Sequence, residues 1–259
     1  MKKVNYFFII GAQRSGTTLL YHLLDKHPQI SMAKPIRPEP KFFLQITPQT
    51  NIQDYLNNYH PTQNTDIRAY GEKSTSYYEK PKVAARIAQY FPEAKIIMLL
   101  RNPVERAISN YFFTRQHGLE TRTLEEVFIQ KIPAPSIPKN ISVSPFDYIK
   151  RGCYTQYLPI YIEKFGRNKV KTLIFDNFIA NPQNDLNHIF DFFEINQQDI
   201  QIPFEGQNAS NKTQVILPEV MEQLNNYYSS EINQLEHLIN TDLSIWKKSI
   251  PNPKIKQNT

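Results

Sequence analysis

The chain has 259 residues, 40% of them hydrophobic and 21% charged, with 30 Lys and Arg against 24 Asp and Glu for a net charge of +6. That composition belongs to a folded globular protein and excludes a disordered or fibrous chain, while seven glycines exclude Gly-rich repeats. The single cysteine, Cys153, excludes an intramolecular disulfide framework and any multi-cysteine metal centre, and reads as an inert buried thiol.

Residues 4–10 are β-branched and aromatic and lead into Gly11, the pattern of a buried strand. They follow Met1-Lys2-Lys3, but the run ends in Gly-x-x-Arg-Ser-Gly rather than a small-residue cleavage site, so it does not read as a signal peptide. No apolar run approaches the ~20 residues that span a bilayer, and a cytoplasmic location is the default expectation. Apolar positions 19, 20, 23 and 24 predict a helix over 17–26, stopping before His27-Pro28. Residues 31–50, with prolines at 35, 38, 40 and 48, read as an ordered irregular stretch. A short helix is expected over 51–60, a strand end over Tyr70–Lys73, and a helix over 81–90 with Pro81 in its first turn.

Residues 94–100 form the strongest strand, followed by a helix to about 116 with Asn102 as its cap and Pro103 at its first position. Residues 131–147 read as a mobile surface loop, and 151–165 as a helix that Pro159 kinks or breaks. A strand over 170–175, a helix over 183–193 and a polar irregular stretch over 201–216 follow. An amphipathic helix or helix pair over 217–238 precedes a polar tail after Trp246. Alternating strands and helices predict an α/β fold, a single domain over 1–246 with a central, mostly parallel sheet flanked by helices, and a tail over 247–259.

Two places carry chemistry. Gly11-Ala12-Gln13-Arg14-Ser15-Gly16-Thr17-Thr18 joins a strand to a helix. The unpaired N–H groups of a helix start attract anions, and Gln13, Arg14, Ser15, Gly16, Thr17 and Thr18 surround that point. The glycine spacing matches a nucleoside-triphosphate P-loop, but Thr17 stands where such a loop needs lysine and the cation is Arg14 instead. The loop is therefore adapted to a different anion. Arg101, at the end of the 94–100 strand, marks a second anion site, with Arg106 and Ser109 one turn apart on the next helix. Two anion sites suit a ligand with phosphate at two places.

These segments resemble sulfotransferases that use 3′-phosphoadenosine 5′-phosphosulfate (PAPS). Gly11–Leu20 is similar to the family's 5′-phosphosulfate loop, and Leu100–Tyr111 to its 3′-phosphate element. Glu39-Pro40-Lys41-Phe42-Phe43, Gly71–Tyr78, Arg151–Tyr154 and Leu173–Pro182 resemble the heparan-sulfate and bacterial branch, which has a P-loop-like fold. The resemblance implies sulfuryl transfer from PAPS, with 3′-phosphoadenosine 5′-phosphate (PAP) as product and no metal. It implies Glu39 as general base, Lys73 and Arg14 at the transferring group, and Arg101 and Ser109 on the 3′-phosphate. It also implies Asn208, Ser210 and Lys212 in a segment covering the cofactor.

Lys41, Tyr77, Phe112 and His117 are candidate acceptor contacts. The key cations lie at strand ends rather than in runs, so neither a nucleic-acid nor a membrane partner is expected, and a small-molecule acceptor with a hydroxyl or amine nitrogen is preferred to a polysaccharide. A nucleotide-dependent phosphoryl transferase is the competing class, disfavoured by the missing lysine.

Overall fold

The computed structural model describes residues 4–202 and 216–247, apart from 48, 61–63, 138, 140 and 142. Among them, strands β1 (Asn5–Gly11), β2 (Ile30–Met32), β3 (Ala69–Lys73), β4 (Lys95–Leu100) and β5 (Val170–Ile174) form one sheet in the order β2-β3-β1-β4-β5. Every pairing is parallel. The helices are α1 (Thr17–Leu24), α2 (Phe42–Gln45), α3 (Ile52–Tyr59), α4 (Pro81–Tyr90), α5 (Pro103–Gln116), α6 (Leu124–Phe128), α7 (Leu158–Phe165), α8 (Phe175–Ala180), α9 (Pro182–Phe193), α10 (Pro218–Ile239) and α11 (Ser244–Lys247). None of them is long and apolar enough to cross a membrane.

The described chain packs as two compact units, residues 4–101 with 156–202 and residues 102–155 with 216–247. The sheet belongs to the first. Its central strands are apolar on both faces because helices cover both. Phe7, Ile9, Ile97 and Leu99 meet Leu20 and Leu23 of α1 and Ile189, Phe190 and Phe193 of α9 on one side. On the other side the Phe8 ring meets Phe43 and Phe91 at 5.5 and 5.9 Å, α4 packs on α7, and the Tyr161 hydroxyl donates to the Tyr77 carbonyl at 2.8 Å. The β1–β4 register is regular from Phe7↔Lys95 to Ile9↔Ile97, then shifts before Gly11, where the chain leaves the sheet for the glycine-bounded loop.

In the second unit, the Asn102 side chain caps α5 by accepting from Val104 N–H, with Pro103 in the first turn as expected. Arg106 is fully buried there and donates to the Tyr148 carbonyl. It packs against Tyr148 and Tyr228. A further buried network joins Glu120 to Arg122 and to the Tyr148 hydroxyl, the latter at 2.8 Å.

Several boundaries depart from expectation for identifiable reasons. The stretch 31–50 opens on the last two residues of the edge strand β2 and contains the one-turn α2, both elements too short to show periodicity. Residues 150–156 form two 3₁₀ turns, and Pro159 lies in the first turn of α7, where its missing N–H has no intrahelical role and causes no kink. The strand predicted over 170–175 ends at Ile174, and Phe175 already begins α8. Before the 131–147 segment, Thr123 and Glu126 form a capping box that opens α6. The amphipathic stretch after Leu217 is one helix, α10. Cys153 is buried, and burial raises its thiol pKa.

Candidate active site

In a parallel sheet the carboxyl ends of the strands collect ligands. Here β1, β3 and β4 end side by side and deliver Gly11, Lys73 and Leu100, with Arg101 next in the chain. The loop after β1 is tied to the neighbouring strand by Ala12 N–H donating to Leu99 O at 2.8 Å. Arg14 and Gly16 both have positive φ, 67° and 83°, which turns the chain sharply into α1. Gly16 stands at the helix start with no side chain capping it and no acidic residue in the first turn. A Cβ at Gly16 would lie 2.7 Å from the Phe175 ring, and one at Gly11 would lie 2.5 Å from Tyr78. Both positions thus require glycine sterically.

The uncapped start of α1 has the geometry that attracts an anion. The Ser15 hydroxyl is fully buried in the loop and has no hydrogen-bond partner, an unsatisfied polar atom at a turn of positive potential. Gln13 and Thr18 are half-buried around it and Thr17 is buried. Arg101 reaches back over the loop, with its guanidinium 4.9 Å above the Phe175 ring and Nη1 donating to the Arg14 carbonyl at 3.3 Å. Burial, then the charges of Arg101 and Arg37, hold the Arg14 guanidinium below its ordinary pKa. Like charges brought together in this way are relieved by a bound anion. The loop and Arg101 therefore fit a phosphate-bearing ligand.

Glu39 and Lys73 meet beside this loop. Lys73 Nζ donates to Glu39 Oε1 at 2.5 Å, and Lys73 is only 4% exposed. Thr75 N–H donates to Glu39 Oε2 at 3.0 Å, and its hydroxyl lies 3.0 and 3.2 Å from the two carboxylate oxygens. The segment carrying Glu39 is fastened further on. Lys41 N–H donates to Ser74 Oγ at 2.9 Å, and Phe43 N–H to the Tyr77 hydroxyl at 3.0 Å. Arg86 donates to the carbonyls of Phe43 and Leu44 at 2.8 and 2.7 Å.

The structure therefore brings together Arg14, Ser15, Gly16, Thr17, Thr18, Glu39, Lys73 and Arg101 in the first unit. Ser109, Phe112 and His117 lie on or at the end of α5 in the second. Ser109 is buried, Phe112 is half-buried, and His117 Nδ1 lies 2.8 Å from the carbonyl of Phe113 in its own helix. Tyr77 corrects an expectation. It is completely buried and its hydroxyl holds Phe43, so it belongs to the core and offers no surface to an acceptor. Asn208, Ser210 and Lys212 lie outside the described residues.

Sequence reasoning gave no role to Thr75, Ser74, Glu72 or Phe175. The first three stand in the same short segment as Lys73, but only a structure shows where each side chain goes. Among the described residues, no group of three or more His, Cys, Asp or Glu is arranged to hold a metal.

The family model for the sulfotransferase domain matches residues 5–235. The chain is 36% identical over 169 residues to the human bifunctional heparan sulfate N-deacetylase/N-sulfotransferase 1, which covers 64% of this chain. It spans only 19% of that relative's length. A solved sulfotransferase from Alicyclobacillus acidocaldarius superposes with a TM-score of 0.75 at 26% identity, covering 96% of this chain and 100% of the other. Mouse sulfotransferase SULT7A1, solved in complex with PAP, shares the fold with a TM-score of 0.52 at 12% identity, covering 91% of this chain and 88% of its own.

Proposed function

The chain belongs to the sulfotransferase domain family, and from that membership we propose that it moves the sulfuryl group of PAPS to a hydroxyl or amine nitrogen of an acceptor. The observation that carries the proposal is the convergence of an uncapped helix start, Arg14 and Arg101 with the Glu39–Lys73 pair at the carboxyl edge of one sheet. The bound donor supplies the sulfuryl group, and the S–O bond to its 5′-phosphate is the bond that breaks.

Backbone N–H groups of residues 14–18, Ser15 Oγ and the Arg14 guanidinium hold the 5′-phosphosulfate. They are aimed where negative charge grows on the leaving phosphate, and preorganised donors of this kind carry a large share of a rate enhancement. Arg101 takes the 3′-phosphate, with Phe175 stacked under its guanidinium. Glu39 accepts the proton from the attacking O–H or N–H, a contribution of ~10²–10⁴-fold. In the structure the Glu39 carboxylate is occupied by Lys73. Lys73 exchanges Glu39 for the oxygen bridging sulfur and phosphorus, which frees the base and neutralises the leaving group together.

The acceptor class follows from charge. Outside the donor site the sequence has no run of cations that would track a long acidic polymer, which favours a small acceptor. A second reading is an amino sugar, favoured by the 36% identity to an enzyme named for N-sulfation of heparan sulfate. Incubation with PAPS, a phenol and alcohol panel and a glucosamine oligosaccharide tests both readings by mass spectrometry. A product heavier by one SO₃ and an equal amount of PAP are expected. PAPS left intact with every acceptor and with water would overturn the proposal.

A further inference from the structure

Glu72 is completely buried, one residue before Lys73 on β3 and so facing the opposite side of the strand. The proposed chemistry does not use it. Its Oε1 accepts from the Ser74 hydroxyl at 2.6 Å, while Oε2 has no hydrogen-bond partner. The hydroxyls of Tyr55 and Tyr77 face the same carboxyl.

What these groups hold is informative. A serine hydroxyl has one proton, and Ser74 gives it to Glu72, so its lone pairs are turned to the Lys41 N–H at 2.9 Å. Tyr77, lying against the carboxyl, accepts from Phe43 N–H at 3.0 Å. Lys41 itself has a φ of 50°, in the left-handed region that is unfavourable for a residue with a Cβ and persists only when its surroundings hold it. The 39–43 segment is thus fastened to 73–77 along its length. Glu39 is held directly by Lys73 and Thr75, Lys41 by Ser74, and Phe43 by Tyr77, and the last two links converge on one buried carboxyl.

We infer that Glu72 is a positioning residue for sulfuryl transfer: through Ser74 and Tyr77 it fixes the backbone of Lys41 and Phe43 and thereby aims the Glu39 carboxylate. The inference rests on the reading of Glu39 as the base. Glu72 touches neither donor nor acceptor in this account, so its loss should leave donor binding intact and slow the chemical step.

The test compares Glu72→Ala, Glu72→Gln and Ser74→Ala with the wild type in three measurements: amide hydrogen exchange of Lys41 and Phe43, the dissociation constant for PAP, and the rate of PAP release from PAPS with water as acceptor. In Glu72→Ala, exchange at Lys41 should accelerate by about tenfold or more, because its acceptor is no longer oriented. PAP affinity should stay within about twofold while PAP release slows about tenfold or more, the signature of a lost positioning effect on the chemical step. Ser74→Ala removes a single hydroxyl, and it should reproduce the Lys41 effect even if Glu72→Ala fails to fold. Glu72→Gln keeps a carbonyl acceptor for Ser74 and should restore release to within about threefold of wild type.

Unchanged Lys41 exchange in both Glu72→Ala and Ser74→Ala would overturn the inference, as would equal losses of release in the Gln and Ala variants. Absence of PAP binding by the wild type would instead sink the donor reading, while the exchange measurement would still decide whether Glu72 holds the segment.

Discussion

Replacing Glu72 with glutamine should change how stability depends on pH, and the size of the change can be worked out. Complete burial pushes the Glu72 carboxyl up from 4.5 to about 7, partly offset by the hydrogen bond from Ser74 and the nearby hydroxyls of Tyr77 and Tyr55, with the Glu39 charge adding to the rise. Between pH 4.5 and 7 the native protein keeps a proton that the unfolded chain has lost, so this group makes the fold less stable as pH increases. A rise of about 2.5 pH units, at ~1.4 kcal/mol per unit, amounts to about 3 kcal/mol.

His60 acts in the opposite sense. It is buried among aromatic rings, including Tyr55 and Tyr70, and burial pushes its pKa down from 6.5 to about 4. Between those values the unfolded chain holds the extra proton, and stability rises with pH by a similar amount, about 3 kcal/mol. In the wild type the two slopes cancel over pH 4.5–6.5. Glutamine removes one of them. Urea unfolding at fixed pH values from 4.5 to 8 gives the difference in stability between Glu72→Gln and wild type. That difference should move in favour of the variant by about 3 kcal/mol between pH 4.5 and 7, then level off. A difference that stays constant within ~0.5 kcal/mol would refute the assignment of a neutral buried acid at position 72.

Glu39→Gln should lower turnover by ~10²–10⁴-fold while leaving PAP affinity near wild type, and near-normal turnover would remove Glu39 as base. Arg101→Ala should weaken PAP by about 10–100-fold, as expected for a lost charge-assisted hydrogen bond, with AMP much less affected; equal weakening of the two nucleotides would take Arg101 off the 3′-phosphate. Gly16→Ala should destabilise the protein by about 1–2 kcal/mol or more in thermal unfolding, because its φ of 83° is unfavourable and a Cβ would meet the Phe175 ring at 2.7 Å. A neutral result would show that the loop relaxes around the methyl group.

How far the sequence carries this account depends on the kind of feature. The sheet was legible because β1 and β4 are continuous apolar runs, and both are buried on both faces as such runs require. The phosphate loop was legible because glycine spacing, a strand and a helix agree locally. Asn102 announced the start of α5 through its side chain. By contrast β2 has three residues and α2 four, and each is held by tertiary neighbours more than by local pattern.

Tyr77 stood among the candidate acceptor contacts because an aromatic beside a site residue looks the same in sequence whether it faces solvent or core. Glu72 was passed over because a buried acid has no local signature. Its meaning comes from Ser74, Tyr55 and Tyr77 closing around it, and from two backbone N–H groups contributed by a segment more than 30 residues away. Phe175 gained its place beneath Arg101 only through the pairing of β4 with β5.

The central claim, that this sheet edge binds a nucleotide phosphorylated at both the 3′ and 5′ positions, is tested most directly by calorimetric titration with PAP, AMP and ATP at moderate salt. PAP should bind at least about tenfold more tightly than AMP, since only PAP presents a 3′-phosphate to Arg101, and ATP should bind no better than AMP without a P-loop lysine. Equal affinity for PAP and AMP, or tighter binding of ATP, would contradict the account and return the site to phosphoryl transfer.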